Sequence, residues 1–200
     1  MRRVFSILTL LMVISTAAIA LPPARQQRAI DAARSLAGLP YRFGGRLKNG
    51  ADGIDCQGLV FFALQPLSSC GWRGYSVFPT VSLPAGELGK ILLGPVATRD
   101  LDTERLEPGD VVWLLGFPEN PAEKAIGVID DKPVWVWHLG LATGQGHFIH
   151  ADFFDGKVRE TGLRSFLEEH ADNYAGVVVT RMDEGPVPLR CRRHEPMRRP

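Results

Sequence analysis

Two apolar runs joined by a glycine-containing turn constrain the fold of this chain more than any other feature. The first run is VWVWHLGLATG (134–144), the second is HFIHAD (147–152), and residues 143–146 form the turn. Runs rich in β-branched and aromatic residues with such a turn between them are typical of an antiparallel β-hairpin. We therefore predict two paired strands in the second half of the chain.

Each of these strands carries a histidine, His138 in the first and His150 in the second. Successive side chains of a strand point to opposite faces, so His138 shares a face with Gly140, while His147 points away from the face of His150. The turn brings residues near 138 close to residues near 150. The sequence thus predicts that the two imidazole rings face each other. The alternative for each is a surface or structural histidine, which is the commoner role on a strand.

The rest of the chain places helices first and strands second. Residues 24–36 have apolar side chains at helical spacing, and CQGLVFFAL (56–64) is also helical in pattern. After these we predict strands at 111–115, 155–163 and 175–182, and a short helix at 163–170. Helices followed by an antiparallel meander indicate an α+β fold.

Two segments lack a clear period. Residues 65–105 are rich in Pro, Gly and Ser, and we predict an irregular, partly helical connection there. Residues 117–134 form an acidic, proline-containing excursion between two core strands. We expect this excursion to form a wall or lid beside any cleft.

Cys56 lies at the predicted start of the second helix. Asp55 precedes it, where a carboxylate can accept a backbone N–H from the first helical turn. The partial positive charge of a helix N-terminus favours a thiolate, as a nucleophile requires. The alternatives for Cys56 are half of a disulfide or a small residue filling the core.

The first twenty residues have the pattern of a secretory signal peptide. Arg2 and Arg3 precede an apolar stretch, and Ala18-Ile19-Ala20 supplies a cleavage site before Leu21. The stretch is shorter than the roughly 20 residues that a membrane span needs. We expect export to the periplasm or the extracellular space, with no stable membrane insertion after cleavage; an uncleaved anchor is the alternative.

Charge is unevenly distributed along the chain. Without Arg2 and Arg3 the chain has 21 basic and 22 acidic residues, and 188–200 alone contains five arginines and one glutamate. This basic C-terminal tail could contact anionic envelope polymers weakly, or be a solvated end. The acidic body has no interleaved basic and aromatic residues, so no nucleic-acid partner is predicted.

The chain has three cysteines, an odd number. In an oxidising compartment cysteines tend to pair, so at least one has no partner within the chain. If Cys56 is the unpaired one, Cys70 and Cys191 could form a disulfide. The sequence leaves that pairing open.

A thiol at a helix N-terminus and two facing histidines suit nucleophilic acyl transfer. His138 would take the thiol proton and later protonate the leaving amine, and His150 would orient the His138 ring. The same three residues, Cys56, His138 and His150, could ligate zinc. A lone cysteine without a second cysteine close in sequence is weak evidence for a zinc site, so no metal or organic cofactor is predicted.

Four motifs in order carry a family resemblance: LPYRFGG, DCQGLV, EPGDVV and WHLGLATGQGHFIHA. Together they resemble the NlpC family of papain-like cysteine peptidases, which act on bacterial cell-wall peptides. The resemblance runs from Arg25 to Met182, and we assign residues 1–20 to the signal, 21–185 to the peptidase domain and 186–200 to the tail. It implies a papain-like fold, with the nucleophile at a helix N-terminus packed on an antiparallel sheet.

The resemblance also implies the roles of individual residues. Cys56 would be the nucleophile, with His138 as general base and His150 as the third member. Tyr41 would lie near the thiol, where its hydroxyl could hydrogen-bond substrate or the oxyanion, and the backbone N–H of Cys56 would be an oxyanion donor. Asp55 would position the site and face substrate. The implied reaction is hydrolysis of the amide between D-γ-glutamyl and a diamino acid in peptidoglycan stem peptides.

Departures from the family pattern leave other functions open. Gln57 replaces the serine that usually follows the nucleophile, at a position that can touch substrate, and the loop before Asp55 is longer than usual. An amidase or acyltransferase acting on another envelope amide could use the same triad. The remaining alternative is an inactive domain that binds wall peptides. Intact Tyr41, Cys56, His138 and His150 favour catalysis over binding alone.

Overall fold

The computed structural model describes residues 24–47, 53–65 and 78–181. The signal peptide, Cys70, Cys191 and the basic tail lie outside these residues. The helices are α1 (Ala24–Arg34), α2 (Cys56–Leu64), α3 (Pro79–Ser82) and α4 (Leu163–Glu169). The strands are β1 (Lys90–Ala97), β2 (Val111–Gly116), β3 (Gly127–Ile129), β4 (Lys132–Gly144), β5 (His147–Asp152), β6 (Lys157–Gly162) and β7 (Gly176–Arg181). None of the described helices is long and apolar enough to cross a membrane.

The seven strands form one sheet, with the order β1-β7-β2-β4-β5-β6 and with β3 paired to β4. Every pairing between these strands is antiparallel. The predicted hairpin is present as β4 and β5, where Leu141 pairs with Ile149 and Ala142 with Phe148. The predicted α+β class, with helices before an antiparallel sheet, is therefore confirmed.

Apolar side chains cover both faces of the sheet. On one face, Leu139, Leu141 and Ile149 pack in the same core as residues of α1 and α2. On the other face, Ala142 and Phe148 pack in a second core with residues of α4. Helix α2, at the centre of the first core, is apolar on nearly every side, which is typical of a buried helix. This burial fixes the position of the helix relative to β4 and β5.

The prediction for residues 65–105 was wrong in one respect, because β1 occupies 90–97. Its sequence, KILLGPVA, contains Gly94 and Pro95 and does not alternate. Apolar Ile91, Leu92 and Leu93 are exposed on this edge strand, and register shifts interrupt its pairing with β7. An edge strand with irregular register has no period-two signal for the sequence to show.

The excursion at 117–134 also contains more regular structure than predicted. It contains β3 and the first residues of β4, which pair as a hairpin. The other predicted elements are confirmed within two residues at each end: α1, α2, β2, β6, α4 and β7.

Candidate active site

Cys56 is the first residue of α2, and local structure explains why the helix begins there. Asp55 is extended and its Oδ1 accepts the backbone N–H of Gly58 at 2.7 Å, which caps the first turn. A Cβ at Gly58 would lie 2.4 Å from the carbonyl oxygen of Gly45. Glycine is therefore required for the first turn to pack against the preceding loop.

The carboxylate of Asp55 is buried and fully engaged. Its Oδ2 accepts the backbone N–H of Gly44 at 2.9 Å and forms an ion pair with Arg46. Arg46 also donates to Oε1 of Gln57 at 2.8 Å. Gln57 is thus linked to the loop that precedes Asp55. The structure places Asp55 as a support for α2 and the loop, and places Gln57 beside Arg46.

A β-bulge in β4 determines where His138 points. Leu114 of β2 pairs with His138 and the next residue, Leu115, pairs with Val136, so Trp137 is an extra residue. Val136 packs in the core beneath α2, and so does Leu139, although strict alternation would put them on opposite faces. The bulge therefore changes the phase of the strand beside the site, as bulges near active sites often do.

The two histidines meet as the parity of the strands predicts. Nε2 of His138 lies 2.8 Å from Nδ1 of His150, and both side chains are buried. The His150 ring stacks on Phe148 at 4.3 Å and packs edge-on against Phe166 at 4.7 Å between centroids. These contacts fix the ring plane of His150, and the hydrogen bond then fixes that of His138. Nδ1 of His138 takes no part in this bond.

The thiol of Cys56 lies against β4, where it contacts the backbone N–H of Leu139, the residue after His138. Backbone N–H groups of Leu139 and Gln57 favour its thiolate, but burial and then the charge of Asp55 outweigh them and raise the pKa of Cys56 to about 12. Burial, together with the charge of His170, lowers the pKa of His138 to about 3. Burial therefore favours the neutral thiol over the thiolate that the helix N-terminus led us to expect. No hydrogen bond joins the thiol to His138 among the described residues.

Two tyrosines lie close enough to the thiol to be affected by its charge. Burial raises the pKa of Tyr41 to about 12, and the charges of Cys56 and Asp55 contribute. Burial and the charge of Cys56 also raise the pKa of Tyr174. The Tyr174 ring lies 6.1 Å from that of His138. Both phenols therefore stay protonated and can donate hydrogen bonds at neutral pH.

A cavity of about 410 Å³ opens beside His138. Its described lining is mostly aromatic: Tyr41, Phe43, Pro118, Trp137, His138, Phe153, Phe154, Asn173 and Tyr174. Pro118 belongs to the excursion, and its carbonyl accepts the Trp137 indole N–H at 2.8 Å. The excursion thus supplies part of a cleft wall. Aromatic rings with a few polar groups are typical of ligand pockets.

Some residues at the site had no signal in the sequence. Tyr174 precedes β7 in a short loop, and Asp152, buried at the end of β5, belongs to no motif. His147, which the sequence placed away from the face of His150, is exposed on the hairpin, and His170 stacks on Phe154 at 3.9 Å. Within the described segments, no group of three or more His, Cys, Asp or Glu side chains is arranged to hold a metal ion.

No protein-family model and no curated protein matches this sequence. Solved structures do match. NlpC1 from Trichomonas vaginalis aligns at 21% identity with a TM-score of 0.52, over 81% of this chain and 46% of that one. NlpC2 from the same organism aligns at 22% identity with a TM-score of 0.50, over 80% of this chain and 48% of that one.

A third solved structure is an N-acetylmuramoyl-L-alanine amidase from Bacteroides uniformis. It aligns at 14% identity with a TM-score of 0.57, over 81% of this chain and all of that one. This chain therefore spans less than half the length of the two Trichomonas proteins and the full length of the Bacteroides protein. At these identities the likeness is one of fold. The chain has the papain-like fold of the NlpC proteins.

Proposed function

We propose that this protein is a cysteine peptidase that hydrolyses an amide bond in peptidoglycan stem peptides. The bond we favour joins D-γ-glutamyl to the diamino acid. The proposal depends on one observation above all: Cys56 begins α2 directly beside the strand that carries His138, and His138 is hydrogen-bonded to His150. The likeness in fold to an N-acetylmuramoyl-L-alanine amidase is consistent with this substrate class.

Acylation begins with proton transfer inside the cleft. Nδ1 of His138 takes the proton of the Cys56 thiol while the sulfur attacks the carbonyl carbon of the scissile amide. Because both groups are neutral at rest, the ion pair forms only as the bond to carbon forms. His150 holds the His138 ring in place throughout, and its own ring is fixed between Phe148 and Phe166.

The tetrahedral intermediate carries its negative charge on the former carbonyl oxygen. The backbone N–H of Cys56, at the start of α2, has no acceptor inside the helix and can donate to this oxygen. The protonated hydroxyl of Tyr41 supplies a second donor. His138 then protonates the leaving amine, the thioester forms, and water activated by His138 hydrolyses it.

The cleft gives specific support to a second candidate. Trp137, Phe153 and Phe154 expose 44%, 66% and 44% of their surface beside the site. Exposed aromatic faces of this kind mark ligand-binding surfaces, and they suit the apolar faces of sugar rings. An amidase that cleaves between the muramoyl group and the first stem residue would place a sugar there.

Digestion of purified muropeptides with the full chain tests the proposal. We expect wild-type protein to release fragments cut at the γ-glutamyl bond and Cys56→Ser to release none, with far-UV circular dichroism unchanged. Mass spectrometry distinguishes the second candidate, which would instead release intact stem peptides from the sugar. Cleavage retained by Cys56→Ser would contradict both.

The histidines provide a matched pair of variants for the same assay. His138→Gln removes the general base, so hydrolysis should fall about 1000-fold or more. His147→Gln changes an exposed histidine of the same hairpin and should leave hydrolysis unchanged. Equal activity in the two variants would remove His138 from the mechanism.

The place of action is part of the same proposal. A cleaved signal peptide at residues 1–20 would deliver the enzyme to the periplasm or the extracellular space. The basic tail at 186–200 would add weak attraction to anionic envelope polymers. Fractionation of cells that express the full chain tests export, and retention of processed protein in the cytoplasm would contradict it.

A further inference from the structure

The two ring nitrogens of His150 have different surroundings. Nδ1 faces His138, whereas Nε2 is buried without a hydrogen-bond partner in the described part of the chain. Oδ2 of Asp152 lies 3.8 Å from it, too far for a hydrogen bond. The proposed triad gives Nε2 no role, and a buried polar atom without a partner is costly.

Asp152 is itself only 1% exposed, and its two oxygens differ in their contacts. Oδ1 accepts backbone N–H groups of Phe154 at 2.8 Å and Asp155 at 3.3 Å, which holds the turn after β5. Oδ2 makes no contact within the turn; it lies 3.4 Å from Nε of Arg159 and 3.8 Å from Nε2 of His150. The turn therefore accounts for the contacts of Oδ1, whereas Oδ2 lies outside it, near Arg159 and Nε2 of His150.

The positions of the protons on the two histidine rings connect the Asp152 carboxylate to the Cys56 thiol. For Nδ1 of His138 to take the thiol proton, the single proton of that neutral ring must be on Nε2. That Nε2–H then donates to Nδ1 of His150, which must be unprotonated. The proton of His150 is consequently on its Nε2, pointing toward Oδ2 of Asp152, which can only accept.

We propose that Asp152 is a positioning residue that acts through His150 to hold His138 in the tautomer with a free Nδ1. Its negative charge also stabilises the imidazolium that forms on His138 when the thiol loses its proton. Arg159 pairs with the same oxygen, its Nε lying 3.4 Å from Oδ2 of Asp152. The catalytic part of this inference rests on the proposed function. The same tautomers also follow without it, because a carboxylate that accepts the proton on Nε2 of His150 leaves Nδ1 of His150 to accept from Nε2 of His138.

Asp152→Asn separates this role from that of the turn. The asparagine keeps an oxygen to accept the N–H groups of Phe154 and Asp155, but it presents an NH₂ group to Nε2 of His150. That donor requires an unprotonated Nε2, which moves the proton of His150 to Nδ1 and reverses the bond to His138. His138 then carries its proton on Nδ1 and cannot accept the one from Cys56.

Nitrogen-15 NMR of the full chain reads these tautomers directly. We expect Nε2–H on both rings in the wild-type protein and Nδ1–H on both in Asp152→Asn. For muropeptide hydrolysis we expect kcat to fall about 100-fold or more with KM and melting temperature little changed. Asp155→Asn is the matched control. Asp155 lies in the same turn and also pairs with Arg159, but it makes no hydrogen bond or ion pair with His150 in the described part of the chain, so this variant should retain wild-type tautomers and kcat.

Two results would overturn the proposal. One is Nδ1–H on His138 or His150 in the wild-type protein, a measurement that requires no variant to fold. The other is a folded Asp152→Asn protein with wild-type tautomers and kcat, which would leave Asp152 with the turn alone. If the wild-type protein hydrolysed no muropeptide, the proposed function would fail, and the ring tautomers would still decide the role of Asp152.

Discussion

Nε2 of His138 lies 2.8 Å from Nδ1 of His150, and the two side chains are 3% and 0% exposed. Neither ring can be protonated without bringing a positive charge into this buried region. Burial lowers the pKa of His138 to about 3, and burial, then the charges of His138, Arg159 and His170, lower that of His150 well below its usual value. The pair is therefore neutral over the whole physiological pH range.

This neutrality predicts a loss of stability in mild acid. Both histidines take up protons in the unfolded chain with a pKa of about 6.5, whereas the folded protein excludes them. The free energy of unfolding should thus decrease as pH falls below 6.5, by about 2 kcal/mol per histidine between pH 7.5 and pH 5. Urea unfolding across this range measures the effect, above the pH at which most carboxylates titrate.

Two variants test whether His138 and His150 cause this pH dependence of the free energy of unfolding. His138→Gln should reduce the pH dependence, because one excluded proton is lost. His147→Gln should not, since His147 is exposed. A free energy of unfolding that is flat from pH 7.5 to pH 5 in the wild-type protein would show that the rings are protonated in the folded state.

The contact between the His138 and His150 rings could be predicted from the sequence, but the β-bulge at Trp137 could not. Alternation and a turn are local signals, and they place His138 and His150 on one face without any tertiary information. In VWVWHLGL every residue from 134 to 137 is apolar, so the string does not mark which residue is extra, and Val136 and Leu139 share a core. An extra residue in one strand is specified by pairing with β2, which a local pattern does not contain.

The start of α2 was equally predictable, whereas the state of its thiol was not. Asp55 indicates the start of the helix because its side chain can cap the backbone N–H three residues later, and the structure has that cap. The pKa of Cys56 depends on how much water the surrounding elements exclude, which is a property of tertiary packing. The sequence did not indicate Asp152 for the same reason, because the distance between its carboxylate and Nε2 of His150 depends on how the end of β5 folds.

The raised pKa of Cys56 predicts slow, pH-dependent alkylation. Burial is the main cause, the charge of Asp55 the second, and together they raise the pKa to about 12. The iodoacetamide rate at Cys56 should then increase about tenfold per pH unit from pH 7 to pH 10, because only the thiolate reacts. Mass spectrometry of the peptide containing Cys56 distinguishes it from the other two cysteines. A rate that reaches a plateau below pH 8 would indicate a resting thiolate.

Because Gly140 has no side chain, His150 can pack against it, so Gly140→Ala should disturb the His138–His150 pair. A Cβ at this position would lie 2.7 Å from Cδ2 of Phe148, 2.9 Å from the carbonyl oxygen of Ile149 and 3.1 Å from Cβ of His150. We expect overpacking to cost about 1–3 kcal/mol of unfolding free energy and to reduce muropeptide hydrolysis. Thermal and urea unfolding measure the first effect.

Gly162→Ala is the matched control for this substitution. Its φ of −64° suits any residue, and the nearest atom to a new Cβ is Oγ of Ser165 at 3.0 Å, on a side chain that can rotate. Equal stability and activity in the two variants would mean that the hairpin absorbs a methyl group at Gly140 without moving His150.

Asp55→Asn should lower the pKa of the Cys56 thiol while keeping the start of α2. Asparagine retains an oxygen for the backbone N–H of Gly58, and it is as good an N-cap as aspartate. The substitution removes the negative charge that raises the thiol pKa, and it leaves the positive charge of Arg46, which lowers it. Alkylation of Cys56 at pH 8 should accelerate by up to about tenfold.

The same variant should lose some stability, because Arg46 is largely buried and loses its ionised partner. Arg46→Gln provides the opposite change: it removes the cation and keeps the carboxylate, so alkylation of Cys56 should become slower than in the wild-type protein. Two variants that disturb one ion pair would thus shift the thiol in opposite directions. If both accelerated alkylation, the cause would be a loosened loop that admits water, and the charge of Asp55 would not control the nucleophile.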